Sequence, residues 1–584
     1  MENMVASNIG ENEVSERSGV KKAGTDAAPA TALEPLYRGN DSRAEASFRR
    51  GKDSTRADRS FDFRKDAAES EYVDIGIPAN NGDEARFTDH SATWTKSLLH
   101  DSLQIVNQAS YHSFTKALRS GEFKDFENII VGNPGGANFT GTLNGPQAAL
   151  AFDLEGLDSH ATSIPPAPSV TSAQTAAEMV EHYWAALLRD VSFIDYPNHP
   201  LLAQAVHDMN NLSFLQGKDN KEFPFPVTPL NLFRGQIVPN DGSVQGPYVS
   251  QFMVQPTFFG AQPLSQRFQA FCPEQNFMTD VYEYTKIQNG AVPSASLAFD
   301  SQYRYLHCGR SMAAFTHVDA LHQAYFVAAL VLLGIQAPLN PGNPYLGSKS
   351  EHGFGTLAGP DALATVSEMA TRALKAAWFH KWSVNLRQRP EEYGALVHAR
   401  LTNYQPFPQA AGALHPDVLN SAVLPIIKSK FQTFLLPQAF PEGAPSHPCY
   451  PTGHGTVAGA CITALKFFFD GSRPIRPLLL AAGSDVMQAS PDGSSLVPYT
   501  GADRDSLTIN GELSKLAWNV TTGHGIHAGI HFRSSSFWSI LLGEQVGISV
   551  LKDRANCYNE PFTINITKCD GKTATFTNPG NGHE

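Results

Sequence analysis

Apolar residues recur along this chain mostly at three- and four-residue spacing, and residues 361–381 give the clearest case. There Val366, Met369, Ala370, Ala373, Leu374 and Ala377 fall on one stripe of a helical surface. Comparable patterns predict helices over residues 173–190, 318–333, 456–469, 506–520 and 537–551. Long segments rich in Pro, Gly and Asn, such as 131–145 and 223–246, separate the earlier helices and read as loops packed against the rest of a large protein. The expected fold is all-α: helical bundles with long ordered loops. No repeat of fixed period and no low-complexity tract interrupts it.

Three regions are expected. Residues 1–70 are polar with mixed charge, as in Glu11-Asn12-Glu13 and Arg49-Arg50-Gly51-Lys52-Asp53, and read as a flexible or partner-dependent arm. Residues 71–310 read as an N-terminal helical layer with long loops, and residues 311–584 as a C-terminal helical bundle.

At 584 residues and 42% hydrophobic content the chain can bury large cores. A net charge of −12 and a pI of about 5.9 argue against nucleic acid as a partner, because phosphate backbones are bound by basic surfaces. The longest apolar run, residues 324–335, falls short of the roughly 20 residues a bilayer requires, so no membrane span is expected. Residues 1–14 lack a basic stretch followed by an apolar core, so no secretory signal is expected; the compartment is not specified. The six cysteines show no CxxC spacing, which leaves neither a zinc ribbon nor a disulfide framework. Cys557 and Cys569 are close enough in sequence to pair in an oxidising setting; the alternative is free, buried thiols.

Candidate chemistry gathers in three segments. In Lys381-Trp382-Ser383-Val384-Asn385-Leu386-Arg387-Gln388-Arg389-Pro390, Lys381 lies seven residues beyond Leu374 and continues the buried face. A cation there requires an anionic partner, unless the segment is the snorkelling end of a surface helix. Pro390 stops the helix and restricts where Arg389 points. The second segment is Pro445-Ser446-His447-Pro448-Cys449-Tyr450-Pro451-Thr452-Gly453-His454-Gly455-Thr456, followed by a mostly apolar run. A hydroxyl, a glycine and an imidazole at a helix start surround one point with N–H donors and a proton carrier, which suits an oxyanion. The bland alternative for His454 is a capping or core imidazole. His447 sits on the same loop.

The third segment is Gly523-His524-Gly525-Ile526-His527-Ala528-Gly529-Ile530-His531. If it is helical, His527 and His531 are one turn apart with His524 on the same side. That permits a zinc site, one functional imidazole with bystanders, or structural histidines among small residues.

Taken together these segments resemble the vanadium-dependent haloperoxidases, particularly the bromoperoxidases of red algae. The resemblance starts weakly near Asp41-Ser42-Arg43-Ala44 and continues through Asn231-Leu232-Phe233-Arg234-Gly235, Gly246-Pro247-Tyr248-Val249 and Phe277-Met278-Thr279-Asp280. It is strong at Ala370-Thr371-Arg372-Ala373-Leu374-Lys375-Ala376, at residues 447–461 and at Leu542-Gly543-Glu544-Gln545-Val546. It implies helical bundles of the haloperoxidase and acid phosphatase type, with the vanadate site in residues 311–584. It implies oxidation of a halide by hydrogen peroxide to a hypohalous-acid-like species that halogenates a small organic substrate, in a homo-oligomer. By position, Lys381 is similar to the lysine that binds vanadate and polarises peroxide, and Arg389 to the first oxyanion-binding arginine. Thr452 stands where the family has a serine, with the Gly453 N–H beside it. His454 resembles the acid–base histidine, His531 the vanadium ligand, and His447 a pocket histidine of bromide-oxidising members, which favours bromide or iodide. Calcium, bound by algal members through an acidic loop, is not expected, because residues 337–359 hold Glu351 as their one acid.

This chain departs from the family pattern in the third segment. An arginine expected six residues before the ligand histidine is Gly525, and Arg533-Ser534-Ser535-Ser536 replaces a following aspartate. Losing one cation from a desolvated oxyanion site costs about 2–5 kcal/mol. His524, His527, Arg387 and Arg533 are the candidate replacements. Two other readings stay open: a phosphomonoester hydrolase using the same pocket, with His531 as nucleophile and His454 as leaving-group acid, and a catalytically impaired scaffold.

Overall fold

The computed structural model describes residues 56–134, 141–217 and 220–580. Of the arm expected over residues 1–70, residues 1–55 lie outside the described residues. Arg56–Ile75 is a helix belonging to a unit of its own, and residues 77–584 form one compact unit.

The large unit is all-α. The helices that position the site are α1 (Ala173–Leu188), α2 (Gly309–Val318), α3 (Gln323–Gly334), α4 (Gly359–Trp378), α5 (Pro390–Thr402), α6 (Gly453–Phe468), α7 (Ile509–Thr522) and α8 (Arg533–Ala555). Among the described residues, strands form only two-stranded antiparallel pairs. The longest pair, β1 (Phe562–Thr567) and β2 (Thr573–Asn578), alternates buried and exposed residues and lays Phe562, Ile564, Ile566 and Phe576 on the main core.

Helix α6 is the centre. All sixteen of its residues are buried, as expected of a helix that is apolar on every side. It packs most extensively on α8 and α4. Glycines set the α6–α8 approach: a Cβ at Gly459 would overlap the Ile540 carbonyl, and one at Gly543 the Thr456 carbonyl. Around α6 lies the larger core, built from α3, α4, α6, α7, α8 and the β1–β2 pair. A second core joins α1 to α5 and takes in Cys449, Ile526 and Phe532. Residues on both sides of position 310 therefore build the second core together.

The helix expected over residues 318–333 is α3, which starts only at Gln323; α2 ends at Val318, and the two helices meet at about 100°. The break falls at Asp319, whose backbone is extended (φ −69°, ψ 149°) and whose carboxylate is committed elsewhere. Pro390 does not stop the preceding helix. A left-handed Leu386 (φ 42°) ends it, and Pro390 occupies the first turn of α5, where its missing N–H removes no bond. All six cysteines are free thiols; Cys557 is exposed and Cys569 buried, so the pairing open in sequence is not made. No single described helix is long and apolar enough to cross a membrane.

The glycine contacts make a direct prediction. Gly459→Ala or Gly543→Ala drives a methyl into a facing carbonyl and should cost about 1–3 kcal/mol or more, read as a lowered urea midpoint. An unchanged midpoint would show that α6 and α8 are not held this closely.

Candidate functional site: a buried cation and imidazole cluster

Each of the three segments ends at the same place because a local irregularity delivers it there. Helix α4 passes at Trp378 into a π-helical stretch, Phe379–Asn385, that carries Lys381. Arg389 is the extended residue before α5 (φ −84°, ψ 160°), the conformation a following proline favours, and its N–H donates to Glu392 Oε2 at 2.6 Å. The 445–452 loop ends at Thr452, which caps α6 without closing it: no side chain accepts from the first-turn amides. The Thr452 Oγ1 is buried and has no partner among the described residues. After α7, the chain widens into a second π-helical stretch, Gly523–His527, turns at Gly529 (φ 85°) and reaches His531 just before α8.

The groups converge. Lys381 Nζ donates to the carbonyls of Pro448 (2.6 Å) and Cys449 (3.3 Å). Arg389 donates from Nε to the His447 carbonyl (2.8 Å) and from Nη1 to the Ile530 carbonyl (3.1 Å). It also donates from Nη1 to His531 Nε2 and from Nη2 to His447 Nδ1, each at 2.8 Å. A guanidinium can only donate, so both imidazole nitrogens accept there. His531 therefore carries its hydrogen on Nδ1, which lies 3.4 Å from Cys449 Sγ.

Lys381 and Arg389 are completely buried, and neither has a carboxylate within ion-pair distance among the described residues. Burial, then the neighbouring Arg389, pushes the Lys381 ammonium well below its ordinary value. Burial lowers Arg389 to about 10. The chain's other buried cations divide in two: Arg189 and Arg234 are held by carbonyl and amide oxygens with no carboxylate within ion-pair distance among the described residues, and several others are ion-paired. Arg387 pairs with Glu178 (3.0 Å), Arg533 with Glu181, Lys96 with Glu391 (2.9 Å) and Lys515 with Glu512 (2.6 Å).

His454 donates from Nε2 to Asp319 Oδ1 at 3.1 Å, with the carboxylate also buried. On its other side His524 stacks at 4.0 Å, and His524 in turn lies 5.6 Å from His531 between ring centroids. His447 packs at 4.8 Å on Trp378, which also flanks Lys381 at 5.8 Å. A Cβ at Gly453 would press on that same indole, so the α6 start and Trp378 touch closely. Burial holds His447, His524 and His531 well below the ordinary imidazole value, with Lys381 and Arg389 adding to it, so their rings are neutral at pH 7.

Sequence reasoning placed Lys381, Arg389, His447, Thr452, Gly453, His454, His531 and His524 together, and they are together. Three candidates are elsewhere. His527 lies among Phe193, Phe233 and Tyr248, with Nε2 bonded to the Tyr248 hydroxyl at 2.9 Å. The left-handed Gly529 breaks the continuous helix that the one-turn spacing assumed, so His527 and His531 share no face. Arg387 and Arg533 are neutralised by Glu178 and Glu181 of α1. Nor do His524, His527 and His531 come within reach of one metal ion. Asp319, Trp378 and Cys449 were not singled out in sequence. Cys449 and Trp378 neighbour the motifs, whereas Asp319 sits 135 residues from its partner with no local signal.

The arrangement is a buried socket of two basic side chains with a helix N-terminus, an unpartnered hydroxyl and neutral imidazoles. It suits a tetrahedral oxyanion accepting charge-assisted hydrogen bonds. No family model matches the chain. It is similar to the vanadium-dependent bromoperoxidase of Corallina officinalis, 32% identical over 89% of this chain and 98% of that protein. The Corallina pilulifera enzyme is equally similar, and that of Ascophyllum nodosum is 31% identical over 90% of this chain and 93% of its own length. A solved structure, the homohexameric second vanadate-dependent bromoperoxidase of Ascophyllum nodosum, has the same fold, with a TM-score of 0.77 over 98% of this chain and 96% of that one at 24% identity.

Two predictions follow from charge and burial. Glu178→Gln strands Arg387 and should cost about 3–5 kcal/mol in the anion-free protein, whereas Lys381→Met removes an unmatched cation and should cost under about 1 kcal/mol or stabilise; denaturant titration ranks the two, and the reverse order refutes the contrast. His182 and His527 are lowered by burial from 6.5 to about 3. The unfolded chain takes up protons first, so stability is full above about 6.5 and falls as pH drops toward 3. Urea midpoints across that range should decline, less steeply in His527→Gln.

Proposed function

Since this chain belongs to the vanadium-dependent bromoperoxidases, a family of vanadate-dependent haloperoxidases, we propose that the cluster around Arg389 and His531 is its vanadate site and that bromide is its halide. The observation that carries the assignment is the convergence of two buried basic side chains, Lys381 and Arg389, neither of them ion-paired, with the imidazoles of His447 and His531 and the open start of α6, a set that an oxyanion would fit. Vanadate fits this donor set. Lys381, Arg389, the α6 first-turn amides from Gly453 onward and the Thr452 hydroxyl would hold its oxygens, and His531 Nε2 is the neutral nitrogen for vanadium. When bound, vanadate activates hydrogen peroxide as a Lewis acid for attack by halide, with X⁻ + H2O2 + H⁺ giving HOX + H2O.

The protein's own groups handle charge, protons and water. Arg389 holds His447 through Nδ1 and, in the anion-free protein, also occupies the His531 Nε2 lone pair, a bond that vanadium would replace while the Nδ1 side of His531 stays against Cys449 Sγ. Asp319 holds the Nε2 hydrogen of His454, which leaves His454 Nδ1 to take and return the proton the reaction consumes. Lys381, with its ammonium desolvated, withdraws electron density from an adjacent oxygen more strongly than it would in water. Trp378 and His447 wall the same space, and we assign His447 to halide selection. Small organic acceptors meet the released electrophile. By analogy with the homohexameric Ascophyllum structure, we propose a homo-oligomer, and light scattering on the purified chain tests it.

The decisive assay is bromination of a phenol dye by peroxide, with and without added vanadate, beside phosphate release from a chromogenic ester. Vanadate-dependent bromination is expected. His454→Ala should lower kcat by about 10²–10⁴-fold, the usual worth of a positioned acid–base group. Steady phosphate release without bromination would assign the pocket to phosphomonoester hydrolysis, and inertness in both assays to a scaffold.

A further inference from the structure

The vanadate reading leaves a gap at Gly525, and the second π-helical stretch explains what fills it. An α-helix advances about 100° per residue, so the wider turn at Gly523–His527 shifts the phase of the side chains that follow α7. A Cβ at Gly525 would meet Ser536 Oγ at 3.1 Å and the His531 carbonyl at 3.2 Å. Glycine at 525 therefore lies against the His531 backbone and the first turn of α8 and presents no side-chain donor to the socket. The position before it does. His524 is more than nine-tenths buried, stacks on His454 at 4.0 Å with an interplanar angle of 28°, and lies 5.6 Å from His531. Its Nδ1 is buried and has no hydrogen-bond partner among the described residues. A buried polar atom left unmatched is costly, and every other buried imidazole of the cluster is engaged: His531 and His447 by Arg389, His454 by Asp319.

We propose that His524 is an oxyanion-binding residue that takes the place of the arginine, its ring N–H donating to the bound vanadate. The proposal rests on the vanadate assignment above and adds a residue that position-by-position comparison puts one place out of register. Burial keeps the ring neutral, with His454 and Arg389 reinforcing it, so His524 gives a hydrogen bond without a charge. Lys381 and Arg389 are then the two cations of a socket whose remaining donors are neutral.

The test uses full-length protein freed of vanadate. Vanadate is titrated in by calorimetry, with the vanadate-induced rise in thermal midpoint and the ⁵¹V resonance of bound vanadate as independent readouts. His524→Phe keeps a stacked ring and removes the donor; His524→Gln keeps a neutral N–H. The expected result is a loss of about 10- to 100-fold in affinity for His524→Phe, the range for a hydrogen bond to a charged group. His524→Gln should retain at least tenfold more affinity than His524→Phe and shift the ⁵¹V resonance less. Gly525→Arg should not exceed the wild type. Equal affinity of the Phe and Gln variants, or wild-type affinity in His524→Phe, makes His524 a packing residue and overturns the proposal while leaving the vanadate assignment standing. Failure of the wild type to bind vanadate overturns both. If one variant does not fold, the other is compared with the wild type alone and reads the same donor.

Discussion

Burying a positive charge without a negative one is the constraint around which this molecule is organised. Removal of an ammonium or guanidinium from water costs several kcal/mol even after relaxation, and a protein normally recovers that by pairing. Here α1 supplies two carboxylates one turn apart, Glu178 and Glu181, which neutralise Arg387 and Arg533. Glu178 also accepts from the Ser534 N–H at 2.7 Å, tying α1 to the start of α8. These pairs hold the frame on which Arg389 and His531 sit. Lys381 and Arg389 themselves receive only carbonyl and imidazole acceptors, which orient them without cancelling their charge. Arg189 and Arg234 are likewise buried on carbonyl acceptors without an ion pair; what sets Lys381 and Arg389 apart is that they lie in one cluster with the open start of α6 and the imidazoles of His447 and His531.

Departures from regular helix bring these groups to one point. Two π-helical stretches carry Lys381 and His524, a left-handed Leu386 frees the chain to place Arg389 ahead of Pro390, and Gly529 turns it back toward His531. Irregular backbone of this sort persists only where packing over-determines it, and α6, buried on every side, provides that packing. Both cores meet here: Cys449, Ile526 and Phe532 belong to one, and Val457 and Phe537 to the other. Water is excluded from both directions, which strengthens every electrostatic interaction in the socket.

Much of this was legible in the sequence. Apolar patterning located α1, α3, α4, α6, α7 and α8, though not α2 or α5, and residue type in the three segments singled out Lys381, Arg389, Thr452, His454 and His531. What local pattern could not show was phase and partnership. The one-turn spacing of His527 and His531 assumed an unbroken α-helix, which the π-helical turn and Gly529 contradict. An apolar run over residues 318–333 concealed the bend at Asp319, since a carboxylate committed to a histidine in another helix leaves no periodic trace. Arg387 and Arg533 looked free because their glutamates lie in α1, more than two hundred residues earlier.

The departure at Gly525 is where the physics decides between a decayed site and a retuned one. In a socket that had lost its anion, Lys381 and Arg389 would be pure liabilities, each replaceable by an apolar side chain at little cost or at a gain. Both are present, together with the open helix start, the unpartnered Thr452 hydroxyl and a neutral His531 Nε2. Beside the glycine that stands for the arginine, His524 holds a buried, unpartnered Nδ1 and stacks on His454, and the cost of leaving that nitrogen unmatched is one that a bound oxyanion would offset.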